Sequence, residues 1–344
     1  MRRRSLLQSL GALGVAAGLP PGLASAAATD TPMSVQSLPA LAGELTVYLG
    51  QGEGGLYERV MQAIRERNPQ LDLRIRRGPT VALANTILAE AKNGVPRADV
   101  FWAVDSGSLG LVADAGLART VPRDLRHQLR EGYRYDHWTP ISGRIRTLPY
   151  NTEKLSSEAL GRDLMALPDL ELDVGWAPAY GAFQSFVTAM RLLEGDARTL
   201  AWLRAIKPRA RSFAGELGAV LAVSRGEVDV AFANHYYTLR VKAGQPEAPL
   251  ALAFTENDAG CLLNASGAMS LSDKASAIDF IRYLLTVEVQ QFLAGEAYEI
   301  PMAQGLAMPT GLPPLAQIRP PRLDLPRLAA VRPTLDLMRR ARVL

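Results

Sequence analysis

Cysteine and histidine are nearly missing from this 344-residue chain. Cys261 is the single cysteine, so no internal disulfide can form. Its neighbours Gly260, Leu262 and Leu263 mark it as a small core residue. The histidines are His127, His137 and His235. The first two sit in a polar stretch and read as surface residues. No Ser-His-Asp or Cys-His set and no carboxylate pair of catalytic spacing stands out, which argues against an enzyme. Beyond the N-terminus no apolar run is long enough to span a bilayer. No cluster of Lys and Arg interleaved with aromatics marks a nucleic-acid surface. The glycine-rich Gly50-Gln-Gly-Glu-Gly-Gly55 fits neither the dinucleotide fingerprint nor the P-loop, since no Gly-Lys-Ser/Thr follows. Internal repeats and low-complexity tracts are absent as well.

What is present begins with an export signal at residues 1–26. Arg2-Arg3-Arg4 is its charged start, Leu10 to Leu19 its mildly apolar middle, and Ala24-Ser25-Ala26 a small-x-small cleavage site. Arg3-Arg4-Ser5-Leu6-Leu7 also fits the twin-arginine pattern. No cysteine adjoins the cleavage site, so no lipid anchor is expected there. The formal charge is +4; without the three leader arginines it falls to +1, so the basic balance overstates the mature chain. The expectation is a protein cut near Ala26, free in the periplasm and without a membrane span.

Past a loose lead-in at 27–43, strand and helix patterns alternate. Leu45–Leu49, Leu71–Arg76 and Asp99–Ala103 read as strands, with helical spacing from Leu56 to about Arg67, Val81 to Lys92 and Leu109 to Ala115. This order implies a parallel sheet with ligands at the carboxyl ends of its strands, where Glu53 and Asp105 fall. In Ile141-Ser-Gly-Arg-Ile-Arg-Thr-Leu-Pro-Tyr-Asn151, an extended chain puts Arg144, Arg146, Leu148 and Tyr150 on one face. Pro149 restricts that strand to an edge or a crossover. Gly181-Ala182 opens a helix whose N-terminus can face an anion. Residues 309–326 are Pro-rich, and Leu328–Arg342 reads as one amphipathic helix.

The stretch Gly226–Arg240 draws these parts together. Val228, Val230 and Phe232 alternate as a short buried strand, which runs out at Asn234-His235 and is followed at once by Tyr236 and Tyr237. Successive strand residues face opposite sides, whereas a strand-to-helix turn lets both phenols converge. Two phenolates suit a hard trivalent cation, which also supplies the charge needed to ionise a phenol of pKa about 10. Two packed interface tyrosines are the plainer alternative.

Leu45-Thr-Val-Tyr, Ala98-Asp-Val-Phe, Ser142-Gly-Arg-Ile-Arg, Trp176-Ala-Pro, Gly226-Glu-Val-Asp, Asn234-His-Tyr-Tyr and Tyr298-Glu-Ile-Pro occur in that order. With them the chain resembles the periplasmic ferric-ion-binding proteins of ABC iron importers, over roughly residues 44–320. The resemblance implies an α/β fold of two lobes, the type II periplasmic-binding-protein architecture. Each lobe is a mixed sheet flanked by helices, and crossover hinge strands join them. Lobe 1 is expected at 44–143 plus 266–315 and lobe 2 at 144–265, with the C-terminal 316–344 unassigned. Tyr236, Tyr237 and Tyr150 are the implied Fe(III) ligands, with Glu53 a candidate. The histidine ligand of other members would fall at Gly52, and an acidic ligand at Val104, beside Asp105. Arg144 and Arg146, with Ser142, Gly181, Ala182 and Asn234, are the implied surroundings of a synergistic anion. Glu216 stands where an amide would help hold that anion, which favours carbonate over phosphate. An ABC permease and its ATPase are the implied partners of a monomer. The alternative is the same fold holding thiamine, a polyamine or a phosphonate.

Overall fold

The computed structural model describes residues 32–50 and 55–344. The export signal and Glu53 lie outside them. Helices of nine residues or more are numbered below.

Strand β1 (Gly43–Gly50) buries Leu45, Val47 and Leu49 and pairs in parallel with β2 (Leu71–Gly78) and β3 (Val100–Ala103). Helix α1 (Leu56–Arg67) follows Gly55, whose φ of 67° is left-handed and costs glycine little. Its Leu56, Val60, Met61 and Ile64 form the buried stripe that the spacing predicts. Helices α2 (Thr80–Lys92) and α3 (Ser106–Asp114) complete the β-α-β-α-β run. The lead-in is not loose from residue 33 on. Val35, Leu38 and Leu41 recur every third residue and are buried, and the Leu41 N–H donates to Asn68 Oδ1 at 2.7 Å.

Two long antiparallel strands carry the chain between lobes. Strand β4 (Thr139–Asn151) pairs with β10 (Leu263–Ser270), with Ser142 opposite Ser266, and β10 also joins β3. Further along, β4 enters the second lobe and pairs with β8 (Ala233–Asn234), β9 (Leu250–Ala253) and β7 (Val230–Ala231). Pro149 is thus on a crossover strand. The parallel set β7, β5 (Val174–Trp176) and β6 (Ala210–Ser212) finishes that lobe. Helices α4 (Gly181–Glu194), α5 (Asp196–Ile206), α6 (Glu216–Ser224) and α7 (His235–Gly244) pack around it. Helices α8 (Ala275–Leu284) and α9 (Val287–Glu296) return to the first lobe, and β11 (Ile300–Pro301) pairs with β4.

One apolar cluster belongs to the first lobe, with Leu45, Val47, Trp102, Phe280 and Leu284 at its heart. A second runs through both lobes, from Phe101 and Leu109 to Phe183, Phe186, Trp202 and Phe232, and includes Leu325, Leu328 and Leu337 of the C-terminal segment. At about 1.5–3 kcal/mol for each large apolar side chain buried, these clusters dominate the stability. Cys261 lies in a smaller cluster with Ile145, Met302 and Ile318, and burial pushes its thiol up to about 11.

The C-terminal helix is not continuous. A 3-10 turn at Leu325–Ala329 is separated by Ala330 from α10 (Val331–Arg340). Pro333 explains the break: an α-helix through it would press its ring onto the carbonyl of residue 329.

Candidate metal centre

Between the lobes lies a cavity of about 530 Å³. Tyr236 and Tyr237 occupy the first turn of α7, directly after the strand ends at Asn234. Their rings lie 4.6 Å apart, tilted by 55°. The Tyr237 hydroxyl is 3.2 Å from that of Tyr180, the residue preceding α4. Tyr180 and Tyr236 both line the cavity. The strand-to-helix turn therefore sets the Tyr236 and Tyr237 rings side by side, and a second helix start brings the Tyr180 hydroxyl to that of Tyr237.

Cations surround these rings. Arg240, one turn along α7 from Tyr236, holds its guanidinium 4.7 Å from the Tyr236 ring centre and 6.0 Å from that of Tyr237, and donates to Ala297 O at 3.2 Å. Arg144 lines the cavity and donates to Val104 O. Burial opposes its charge, but Tyr236, Tyr57, Glu299 and Asp105 more than offset this and raise its pKa. Nearby positive charge favours the ionised phenol.

Arg146 also reaches the cavity, but its charge is spent. It donates to Glu216 Oε1 at 2.5 Å and to Ala182 O at 2.6 Å, while Glu216 Oε2 accepts from Asn234 N–H at 2.9 Å. Glu216 is wholly buried and its two oxygens are committed to these donors. Asn234 lines the cavity and donates to the Tyr236 hydroxyl at 3.3 Å. Gly181 and Ala182 present the N-terminus of α4 there. Asp105 lines the cavity and caps α3, its two carboxylate oxygens accepting from Ser108 N–H at 2.7 Å and Ser108 Oγ at 3.1 Å. Ser142 is buried one layer beneath, 2.7 Å from Ser266 Oγ and 3.3 Å from the Tyr57 hydroxyl.

Tyr150 is not brought to this place. It pairs with Val230 and Ala251 in the second lobe, and its ring joins the apolar cluster with Leu148, Leu160 and Val174. Parity does give it the same nominal face as Arg144 and Arg146. Each strand residue advances about 3.3 Å, however, so Tyr150 lies roughly 13 Å beyond Arg146, past the cavity.

Four cavity residues carried no assignment from the sequence. Tyr180 precedes the Gly181-Ala182 helix start, and that adjacency was the available signal. Glu299 lies in Tyr298-Glu-Ile-Pro; it accepts from the Tyr57 hydroxyl at 3.2 Å, and burial raises its pKa, with Ser142, Arg144, Tyr57 and Arg240 pulling the other way. Tyr57, stacked 4.3 Å from Trp102, and Arg240 show no local signal at all. His235 is buried and faces away from the cavity: Nδ1 accepts from Ile145 N–H at 3.1 Å and Nε2–H donates to Tyr298 O at 2.6 Å. His127 and His137 are exposed. Among the described residues no group of three or more His, Cys, Asp or Glu could hold a metal, so the phenols are the distinctive oxygen donors here.

Two α/β lobes joined by crossover strands around a cleft define a solute-binding protein of the periplasmic type. Residues 45–299 match the bacterial extracellular solute-binding proteins, and the chain belongs to that family. It is 29% identical over 301 residues to the major ferric iron-binding protein of Neisseria meningitidis, covering 83% of this chain and 88% of that one. It is 30% identical over 265 residues to the Fe(3+)-binding periplasmic protein of Serratia marcescens, covering 74% and 78%. Iron-bound HitA from Pseudomonas aeruginosa superposes with a TM-score of 0.75 at 28% identity, covering 88% of this chain and 99% of that structure. These relatives bind iron. No helix among the described residues is long and apolar enough to cross a membrane.

Proposed function

We propose that this chain is the periplasmic binding component of an ABC importer and that its cargo is Fe(III), held by the phenolates of Tyr236, Tyr237 and Tyr180. The observation that carries this reading is the 3.2 Å approach of the Tyr180 and Tyr237 hydroxyls beside Tyr236, in a cleft flanked by Arg144 and Arg240. Three phenolates neutralise a trivalent ion, and hard oxygen donors suit it. Tyr180 replaces Tyr150 as the third ligand. Glu53 keeps its place as a candidate donor.

A synergistic oxyanion fits beside the N–H groups of Gly181 and Ala182, within reach of Arg144. The expected preference for carbonate rests on the charge of Glu216. Arg146 matches that charge and Glu216 does not face the cavity, so only the oxyanion class is proposed. Lobe bodies at 44–143 plus 266–315 and at 144–265, a chain cut near Ala26, a permease and ATPase as partners, and a monomeric carrier complete the reading. Ferric-binding relatives favour it over thiamine, polyamine or phosphonate.

Titration with ferric citrate tests it. A visible tyrosinate-to-iron band is expected. Tyr236→Phe, Tyr237→Phe and Tyr180→Phe should each weaken binding by about tenfold or more, and Tyr150→Phe should leave it unchanged. No band in the native protein would sink the iron cargo. Loss on Tyr150→Phe, with Tyr180→Phe unaffected, would overturn only the ligand set.

A further inference from the structure

The C-terminal segment touches both lobes within a few residues. On the first lobe, the turn Leu325–Ala329 lies against α3. A Cβ on Gly107 would stand 3.0 Å from Ala329 Cα and N, and one on Gly110 would stand 2.9 Å from Pro326 Cβ and O. The two glycines are three apart on one helix face, so the turn packs backbone to backbone. Ser106 Oγ, which donates to Asn264 Oδ1 at 2.8 Å, lies 3.3 Å from Leu325 O, and Leu325 and Leu328 are buried.

On the second lobe, α10 lies against α4 and α5. Thr334 Oγ1 is 2.8 Å from Thr188 Oγ1 and accepts from Arg191 at 3.1 Å, and Arg204 donates to Arg340 O at 3.3 Å. Leu337 and Met338 are buried beneath it. Only Ala330 separates the turn from the helix. One residue spans about 3.8 Å, which leaves no slack between the two contacts.

The helices joined in this way begin at the cleft. Asp105 caps α3 and Tyr180 precedes α4, while Leu328, Ala329 and Val331 wall the cavity between them. Lobes that swing apart about β4 and β10 must either pull α10 off α4 and α5 or lift the turn off α3. The turn's contact with α3, at Gly107 and Ala329, is itself part of the cavity wall, so its docking is felt at the cargo.

We propose that Leu325–Arg340 is an interlobe latch: docking of Leu325–Ala329 on the Gly107/Gly110 face of α3 holds the cleft shut on its cargo, and its undocking is a required step of release. Gly107, Gly110 and Leu328 are then positioning residues for cargo retention. The identity of the cargo as Fe(III) is taken from the reading above; the latch itself rests on the packing.

Gly110→Ala pushes a methyl group into the Pro326 backbone, and Leu328→Ala weakens the same contact from the strap side without touching α3. Asp114→Ala, on the exposed part of α3, is the control. Small-angle X-ray scattering of the iron-free protein should show a larger radius of gyration for Gly110→Ala and Leu328→Ala than for native and control. Iron loss to EDTA should be roughly tenfold faster or more in both variants, with the charge-transfer band at saturation unchanged in Gly110→Ala, which lies outside the cavity wall. Should Gly110→Ala fail to fold, Leu328→Ala decides alone. Native radius and native release rate in the folded variants would overturn the latch. Because the scattering needs no iron, a chain that binds none still tests it.

Discussion

His235 shows how residue type and role can part company. A histidine next to Tyr236 invites a ligand role, yet both its ring nitrogens are engaged by backbone groups inside the protein. Burial pulls its pKa down to about 4, with the two backbone partners acting the other way. A histidine whose folded pKa lies below its unfolded value of about 6.5 stabilises the fold fully above pH 6.5. That contribution is lost as pH falls towards 4, because the unfolded chain takes up the proton first. The expected loss is about 3 kcal/mol across that window. Urea midpoints of native and His235→Gln protein at pH 7.5 and 4.5 check this: the native protein should fall further between the two values. Equal slopes would show that the imidazole does not titrate differently on folding.

At the scale of the element, the two crossover strands decide where side chains end up. Strand β10 shifts register between Ser266 and Gly267, where it leaves Ser142 and pairs with Pro140. A Cβ on Gly267 would meet Trp138 Cε3 at 2.4 Å and Leu109 Cδ1 at 2.8 Å. Gly267→Ala should therefore overpack the junction between β10, α3 and Trp138 and cost about 1–3 kcal/mol in a denaturant titration. An unchanged midpoint would mean that Trp138 moves aside freely. Strand β4 makes a related point. Its alternation was legible in the sequence, and Arg144 and Arg146 do reach the cavity. Where the strand leaves the cleft was not legible, because periodicity carries direction but not distance.

For the whole molecule, cargo binding is linked to the folding equilibrium. A ligand held only by the folded, closed form adds stability by mass action, about 2.7 kcal/mol at a hundredfold excess over Kd. Ferric citrate should accordingly raise the melting temperature of the native chain by a few degrees and leave the Tyr236→Phe/Tyr237→Phe double variant unmoved. An equal rise in both would mean that iron binds elsewhere. The buried Arg146–Glu216 pair bears on the same equilibrium, since it ties β4 to α6 and, through Ala182 O and Asn234 N–H, steadies the helix starts that carry Tyr180 and Tyr236.

The sequence by itself determined the alternating α/β order, the strand-to-helix turn that sets Tyr236 and Tyr237 side by side, and the helix start at Gly181. Each of these is local, set by side-chain periodicity and by what a few neighbouring dihedrals allow. Only the tertiary structure decided that Tyr180 and not Tyr150 meets the pair, that Arg146 is consumed by Glu216, and that the last residues bind both lobes. Those outcomes depend on groups 50 or more positions apart being folded into contact, and no short-range pattern encodes the distance between them.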